Sequence, residues 1–563
     1  MKDLIEKHVL KNAIDFGGKA NPNAILGRVL ADHPELRKDV KEVMKEITNT
    51  IKKTEKLSLE EQQKKLHKIA PELLKEKKKE KKEGLKDLPN VGKKFVTRFA
   101  PSPSGPLHIG HAYGISLASE YARKYKGTLF LRIEDTNPEN IYPAAYKMIE
   151  EEAQWITKGN VAKVIVQSDR LGGYYDYAEK LVSIGKAYVC VCDADKARAM
   201  KAKGKACPCR ELDVKEQQKR YAKMFNEYAE GEAVLRLKTD IENKNPALRD
   251  FAIARINEHV HPRTQKEQRV WPLMNFSVAI DDYLLGITHS IRAKEHADNG
   301  KKQRIIHDYF GWASPVDVYV GRINFEDLRI SASKTRRAIE ENKFKGWDDI
   351  RLPFIAALRR RGYQPDALIK YAVDVGVSLN DKVVKKSEFF KTINHANKEI
   401  LDPKANRYFF VEDPVKIKVD GAPTKIAKVP LHPDFHERGM REFKTEGEFL
   451  ISKKDFDAME AGKLHRLMEC MNVLKKGKKL VFDSEDYGSY RDSKKRGMIV
   501  HWLPAKEDAA DVSVMLEEGK ATGKGEHRLR ELKEGTIVQL ERFGFCRLDK
   551  KDGNNVEFWF THR

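Results

Sequence analysis

Cysteine is scarce, with six in 563 residues, too few for a disulfide scaffold. No uninterrupted apolar run approaches the ~18–20 residues that a bilayer-crossing helix needs. The opening stretch, MKDLIEKHVLKNAIDFGG, carries acids and no apolar segment, so it does not read as a secretory leader. Acidic residues are outnumbered: 107 Lys+Arg against 85 Asp+Glu leaves a formal +22, which points to a polyanionic partner. No convincing basic amphipathic anchor accompanies that charge, which argues against a membrane partner. What is present is 40% hydrophobic residues, enough for several cores and incompatible with disorder along the whole chain. At about 150 residues per domain the length suggests three to four domains. The expectation is a cytoplasmic, multidomain, polyanion-binding protein.

Residues 1–90 read as a helical extension, with apolar residues three to four apart among charges, ending near the run KEKKKEKKE at 75–83. At residue 91 the texture changes. KKFVTRFAP (93–101) is a short strand closed by the turn PSPSGP, HIGHAYGISLASEYARKY has helical periodicity, and TLFLRIED (128–135) is a strand buried on both faces. Strand, turn, helix and strand open a parallel α/β sheet, predicted to span 91–175 and 266–345. The second half includes a single strand over DVYVGRINF (317–325). Between the halves, 176–265 is a polar insertion. Residues 346–400 read as helices, and 401–563 as short strands between turns, the pattern of antiparallel β-barrels.

Chemistry concentrates in RFAPSPSGPLHIGHA (98–112). The prolines stiffen a turn, and Ser104-Gly105 lets backbone approach a ligand closely. His108 and His111 stand three apart at a helix start and share a face. The helix amino end offers unpaired N–H groups and a positive dipole to phosphate. Two imidazole donors beside it suit the charge that develops on a transferring phosphoryl group.

Four cysteines form two C-x-C pairs, Cys190/Cys192 and Cys207/Cys209. Four thiolates suit one tetrahedral, closed Zn²⁺ site, with redox use as the alternative.

The string around His108 and His111 resembles the HIGH motif of class I aminoacyl-tRNA synthetases. RFAPSPSGPLHIGHA as a whole is similar to the glutamyl-tRNA synthetases, the archaeal type in particular. The likeness continues through LRIEDTNPENIYPAAY (131–146), DDYLLGITHSIRAKEH (281–296) and ANRYFFVEDP (405–414). It implies a Rossmann-like catalytic domain, an acceptor-end-binding insertion, a helical stem-contact domain and anticodon-binding barrels. It also implies ATP with Mg²⁺, L-glutamate, and tRNA-Glu, with tRNA-Gln left open. In the family, positions matching Arg98, Ser102 and Glu134 contact the amino acid, and the position matching Arg292 is arginine in glutamyl enzymes. Many relatives carry Tyr in the pocket where this chain has Met274. Glu295 and His296 resemble positions near the ATP ribose and adenine, and Gly110 lies within the ATP-binding motif. RISASKTRR (329–337) is the candidate for the mobile KMSKS-like loop, with Ser333 and Lys334 as its catalytic pair and Ser331 as a helper at ATP. The arrangement implies a glutamate–tRNA ligase that works as a monomer. Glutaminyl-tRNA synthetase and a non-catalytic tRNA-binding adaptor are the alternatives.

On the RNA side, Arg359-Arg360-Arg361 and the 75–83 run are candidates to line tRNA. Phe543, Phe545, Phe558 and Phe560 are either base-stacking groups or barrel core.

Overall fold

The structure is a computed structural model describing residues 2–73, 84–265 and 267–563. The basic run at 75–83 lies outside the described residues. The chain divides into two compact units, Met1–Glu83 and Gly84–Arg563.

The first unit is helical: α1 (Lys2–Asp15), α2 (Pro22–Asp32), α3 (Val40–Thr54) and α4 (Leu59–Ile69). Asn21 caps α2, and Ser58 with Glu61 forms a reciprocal capping box on α4. Val43, Ile47 and Ile51 recur at four-residue spacing along α3, so one face of that helix packs with Ile5 and Val9 of α1 and Ile25 and Val29 of α2. Full burial of each such side chain stabilises by about 1.5–3 kcal/mol.

In the second unit β1 (Val96–Phe99), α5 (Ile109–Lys124), β2 (Thr128–Ile133), α6 (Ala145–Thr157) and β3 (Val161–Val166) build a parallel sheet in the order β1-β2-β3. The chain then passes through α7 (Leu171–Ser183) into an excursion of β4 (Ala187–Cys190), α8 (Ala194–Ala202), α9 (Val214–Met224), β5 (Val234–Leu237), β6 (Ala252–Ile256) and β7 (Val270–Pro272). Its four strands form an antiparallel sheet. After α10 (Met274–Leu284) the chain returns as β8 (His289–Ala293), then α11 (Ala297–Phe310) and β9 (Val316–Val320), with β8 parallel to β9. Thr288 ties this pair to β1: its N–H donates to Val96 O, and Val96 N–H donates to its hydroxyl, both at 2.9 Å. Strands β2 and β3 therefore extend one side of β1, and β8 and β9 the other. A reversal of strand order of this kind opens a crevice at the carboxyl ends of β1 and β8, where ligands of parallel sheets sit.

The single strand expected at 317–325 is two. β9 stops at Gly321, whose N–H donates to Ser378 O at 2.6 Å, and Asp381 receives the N–H of Arg322 at 2.8 Å. Those bonds turn the chain away, so β10 (Ile323–Phe325) pairs with β11 (Lys382–Val384) instead. Between them lie α12 (Ala332–Glu340), α13 (Ile355–Arg361) and α14 (Pro365–Val375), and α15 (Lys386–Leu401) follows. Leu368 and Ala372 of α14 join the core of α5 and α6.

Beyond residue 405 two seven-stranded sheets curl around separate cores, one on Phe449, Val473 and Trp502, the other on Val514, Leu548 and Phe558. The expected antiparallel pairing holds for most neighbours, but each sheet has a parallel pair at its rim, 407–408 with 537–540 and 464–467 with 496–500, and another in its middle, 510–516 with 555–562 and 414–420 with 479–484. Phe558 is buried with Phe543 and Phe560 packed against its cluster, and Phe545 is buried against Leu401 and Ala405, so these rings serve the core.

The expectation that the arginine triplet lines RNA holds for neither Arg360 nor Arg361. Arg360 is bound to Asp348 and Asp549 and lies 3.8 Å over the Trp559 ring. Arg361 is buried, paired with Glu517 and donating to the carbonyls of Phe560 and Thr561. Both fasten α13 to the last strand, because a guanidinium with several acceptors can be buried where a free one cannot.

Candidate active site

The crevice is a cavity of about 520 Å³. Of the residues singled out in the sequence, Arg98, His108, Gly110, His111, Glu134, Met274, Arg292, Glu295 and His296 line it. They arrive from β1, α5, β8, α10 and the segments after β2 and β8, so the fold gathers positions nearly 200 residues apart.

His108 is the N-cap of α5. Its Nδ1 accepts the N–H of Gly110 at 3.1 Å, and the N–H of His108 donates to Nδ1 of His111 at 3.4 Å. The rings stack with centroids 3.7 Å apart and 19° between planes. Burial pushes His108 down to about 4, and His111 falls well below 6.5 through burial and its proximity to His108. Both rings are thus neutral near pH 7. With each Nδ1 acting as acceptor, the ring proton of each sits on Nε2. The cavity wall carries two neutral N–H donors side by side.

The expectation that the amino end of α5 offers unpaired N–H groups to phosphate does not hold. The first N–H groups of α5 are not free for phosphate: Ile109 donates to Pro353 O at 3.1 Å, Gly110 to His108, and His111 to His108 O at 2.9 Å. The short pairing of this loop with Phe354 takes the first of them, and the side chain and carbonyl of His108 take the next two. The imidazoles, not the helix backbone, are the donors on offer.

Opposite lies a network of buried charge. Asp282 of α10 sits between Arg98, at 3.3 Å, and Arg132, at 2.6 Å. Burial alone would raise its carboxyl, but the two guanidinium groups outweigh that and hold it well below the usual carboxylate range. Arg98 also donates to Ser290 at 2.9 Å, and Arg132 reaches Glu134 at 2.9 Å. Arg292 pairs with Asp317 at 2.6 Å and Gln303 at 2.8 Å. Its carboxylate partner is therefore on β9. Glu295 pairs with Arg322. Among the described residues, Nε of Arg292 is buried without a partner. A buried donor left unpaired costs about 1–3 kcal/mol, and in a cavity wall a ligand acceptor relieves that cost.

His296 is held below 6.5 by burial, against the pull of Glu295, and its Nδ1 lies 3.0 Å from Asn299. Met274 begins α10 and is 37% exposed, so a thioether faces the opening.

Four expected residues stand apart from the cavity wall. Ser102 is exposed on the proline turn. Ser331 caps α12, accepting the N–H of Lys334 at 3.5 Å and lying 3.3 Å from the Ser333 hydroxyl, while Ser333 and Lys334 are exposed. The two segments nonetheless meet. A methyl group at Gly105 would lie 2.8 Å from Cβ of Ala332, so only glycine lets the proline turn seat the start of α12.

The four clustered cysteines lie with every Sγ within 4.8 Å of the others, and both Cys190–Cys207 and Cys192–Cys209 at 3.7 Å. A sulfur tetrahedron around Zn²⁺ at ~2.3 Å has edges of about 3.8 Å, whereas a disulfide needs ~2.05 Å. Arg220 donates to Cys209 Sγ at 3.4 Å, a cation suited to a thiolate cluster. The donor set fits a closed zinc centre.

Sequence reading missed Arg132, Gln303 and Asp317. Arg132 had a signal, a lone cation inside the apolar run TLFLRI. Gln303 and Asp317 had none, since their role depends on how α11 seats on β9.

A family model described as the catalytic domain of tRNA synthetases class I (E and Q) matches residues 94–402. Two models described as the anti-codon binding domain of the same class match 405–484 and 499–549. The chain is 44% identical over 573 aligned residues to a glutamate–tRNA ligase of Pyrococcus abyssi, covering 99% of each. It is 43% identical to those of Methanococcus maripaludis (strain C5) and Thermococcus kodakarensis, covering 100% of each.

Proposed function

The chain belongs to the class I tRNA synthetases of the glutamate and glutamine branch, and from that premise we propose that it is a glutamate–tRNA ligase. The α-carboxylate of L-glutamate attacks the α-phosphorus of ATP, giving glutamyl-adenylate and releasing pyrophosphate. A hydroxyl of the terminal tRNA ribose then attacks the activated carbonyl, and AMP leaves.

The observation that carries the choice of amino acid is the buried, unpartnered Nε of Arg292 in the same cavity as the paired imidazoles. A side-chain carboxylate supplies the missing acceptor with full charge, whereas the glutamine amide offers a neutral oxygen and an N–H₂ that a guanidinium repels. Glu134 suits the substrate ammonium, with Arg98 and Ser102 completing the amino-acid site beside Met274. The Nε2–H groups of His108 and His111 suit the phosphates, as neutral donors placed where charge builds up. Gly110, Glu295 and His296 border the nucleoside. Ser331, Ser333 and Lys334 act from the loop seated on Gly105, the ammonium meeting pyrophosphate when the loop closes. Mg²⁺ bound with ATP supplies charge neutralisation.

The reading assigns Zn²⁺ to Cys190, Cys192, Cys207 and Cys209, as the staple of an acceptor-end-binding insertion over 176–265. It assigns stem contact to 346–400 and the anticodon to 401–563. The net +22 supports an RNA partner, and no helix among the described residues is long and apolar enough to cross a membrane. We place the enzyme in the cytoplasm as a monomer. Aminoacylation of separate tRNA-Glu and tRNA-Gln transcripts with glutamate and with glutamine tests the proposal. Glutamylation of tRNA-Glu is expected and glutaminylation of either transcript contradicts it, while the tRNA-Gln arm decides the range of acceptors.

A further inference from the structure

Arg292 leaves β8 toward the cavity, and residues from two other elements fix its guanidinium. Asp317 on β9 accepts from Nη2 at 2.6 Å, and Gln303 on α11 accepts from Nη1 at 2.8 Å. Neither partner is loose. The Tyr319 hydroxyl donates to Asp317 at 3.1 Å, and Arg304 approaches it at 3.5 Å. The Gln303 amide donates its N–H to Asn275 Oδ1 at 3.3 Å, which turns its carbonyl oxygen toward the arginine.

The seating of α11 on β9 depends on one glycine. A methyl group at Gly300 would lie 2.6 Å from Oδ2 of Asp317 and would also strike the Tyr319 hydroxyl. Any larger residue there moves the carboxylate or lifts the helix that carries Gln303.

We propose that Asp317 and Gln303 are positioning residues that aim Arg292 and so set the preference for a carboxylate-bearing amino acid, with Gly300 admitting the approach that lets both reach it. This rests on the reading that Arg292 receives the substrate's side chain. An unfixed guanidinium on a long stem samples many rotamers, costs entropy to order at each binding event, and meets an amide oxygen nearly as readily as a carboxylate. A guanidinium anchored through both terminal nitrogens presents one edge only, and a planar carboxylate matches that edge. Asp317 also sets a negative charge 2.6 Å from the Arg292 guanidinium, so selection rests on geometry as well as on charge.

Charge and aim are separable because the two partners differ. Asp317→Asn removes an anion, which by itself would strengthen attraction for glutamate, and keeps an acceptor oxygen. Gln303→Met leaves the net charge untouched and removes the second anchor.

The experiment is steady-state aminoacylation by the full-length protein with tRNA-Glu. Wild type, Asp317→Asn, Gln303→Met, Gly300→Ala and Arg292→Ala are compared with glutamate and glutamine, and the unfolding temperature of each is recorded. The positioning role predicts that Gln303→Met and Asp317→Asn raise KM for glutamate about 10- to 100-fold. KM for ATP should stay within about twofold of wild type, a split that general loss of structure would not produce. The ratio of kcat/KM for glutamate over glutamine should fall in both, and Gly300→Ala should move the same way. If Arg292→Ala raises KM for glutamate while Gln303→Met and Asp317→Asn leave it unchanged, the positioning role is overturned and the reading of Arg292 survives. If Arg292→Ala leaves it unchanged as well, the assignment beneath the proposal is wrong.

Discussion

Two substitutions at His108 separate the two tasks that one imidazole performs. Its Nδ1 caps α5 by accepting the Gly110 N–H at 3.1 Å, while its Nε2–H is free to face the cavity. His108→Ala removes both. Loss of the cap costs about 0.5–2 kcal/mol of stability, and loss of a donor aimed at developing charge costs about 10²–10³ in rate. His108→Asn keeps an oxygen that can cap the helix but is too short to replace Nε2. Asparagine should therefore hold stability within about 0.5 kcal/mol of wild type and still lose about 10²–10³ of glutamate-dependent, tRNA-supported pyrophosphate exchange. Urea unfolding and the exchange assay on the same preparations read the two effects. An asparagine variant that retains activity within about threefold of wild type would refute the donor role. One as unstable as the alanine variant would refute the cap.

Acid should weaken the fold through its buried histidines. His108, His501 and His562 are each pushed down to about 4 by burial, so between pH 6.5 and 4 the unfolded chain binds protons that the folded chain refuses. Stability is then full above pH 6.5 and falls as pH drops toward 4, by up to about 3 kcal/mol per ring; urea midpoints that do not change over that range would contradict this. Purified protein should carry about one zinc per chain, and metal analysis finding none, with four titratable thiols, would remove the zinc centre. Glu152 is pushed up to about 8 by burial, and its Oε2 accepts the Leu107 N–H at 2.6 Å just ahead of His108. Glu152→Leu, which strands that N–H, should cost about 1–3 kcal/mol, and Glu152→Gln, which retains an acceptor, under about 1 kcal/mol by denaturant titration.

The parts legible in the sequence were those written locally. Strand, proline turn and helix follow from RFAPSPSGPLHIGHA because stiff turn residues, a glycine and a 3.6-residue period act within a few positions. The two C-x-C pairs are close in sequence and proved close in space. What was hidden depends on distant partners. The exhausted N–H groups of α5 could not be read, because their acceptors include a carbonyl 244 residues further on, that of Pro353 after Ile109. Arg360 and Arg361 looked like RNA contacts because sequence shows charge but not the carboxylates of Asp549 and Glu517 that neutralise them. Arg292 was recognised, yet its true partner Asp317 appears only once β8 and β9 lie side by side. DVYVGRINF has the composition of one strand, and the break at Gly321 comes from bonds to residues 378 and 381.

In the proposed enzyme one cavity holds the amino-acid side chain at Arg292 and the phosphates at the paired imidazoles. The most direct test is a crystal structure with a non-hydrolysable glutamyl-adenylate analogue. The expected result is the side-chain carboxylate about 3 Å from Arg292 Nε and the phosphate mimic at similar distance from Nε2 of His108 and His111. An analogue bound with its carboxylate away from Arg292, or its phosphate mimic away from both rings, contradicts it.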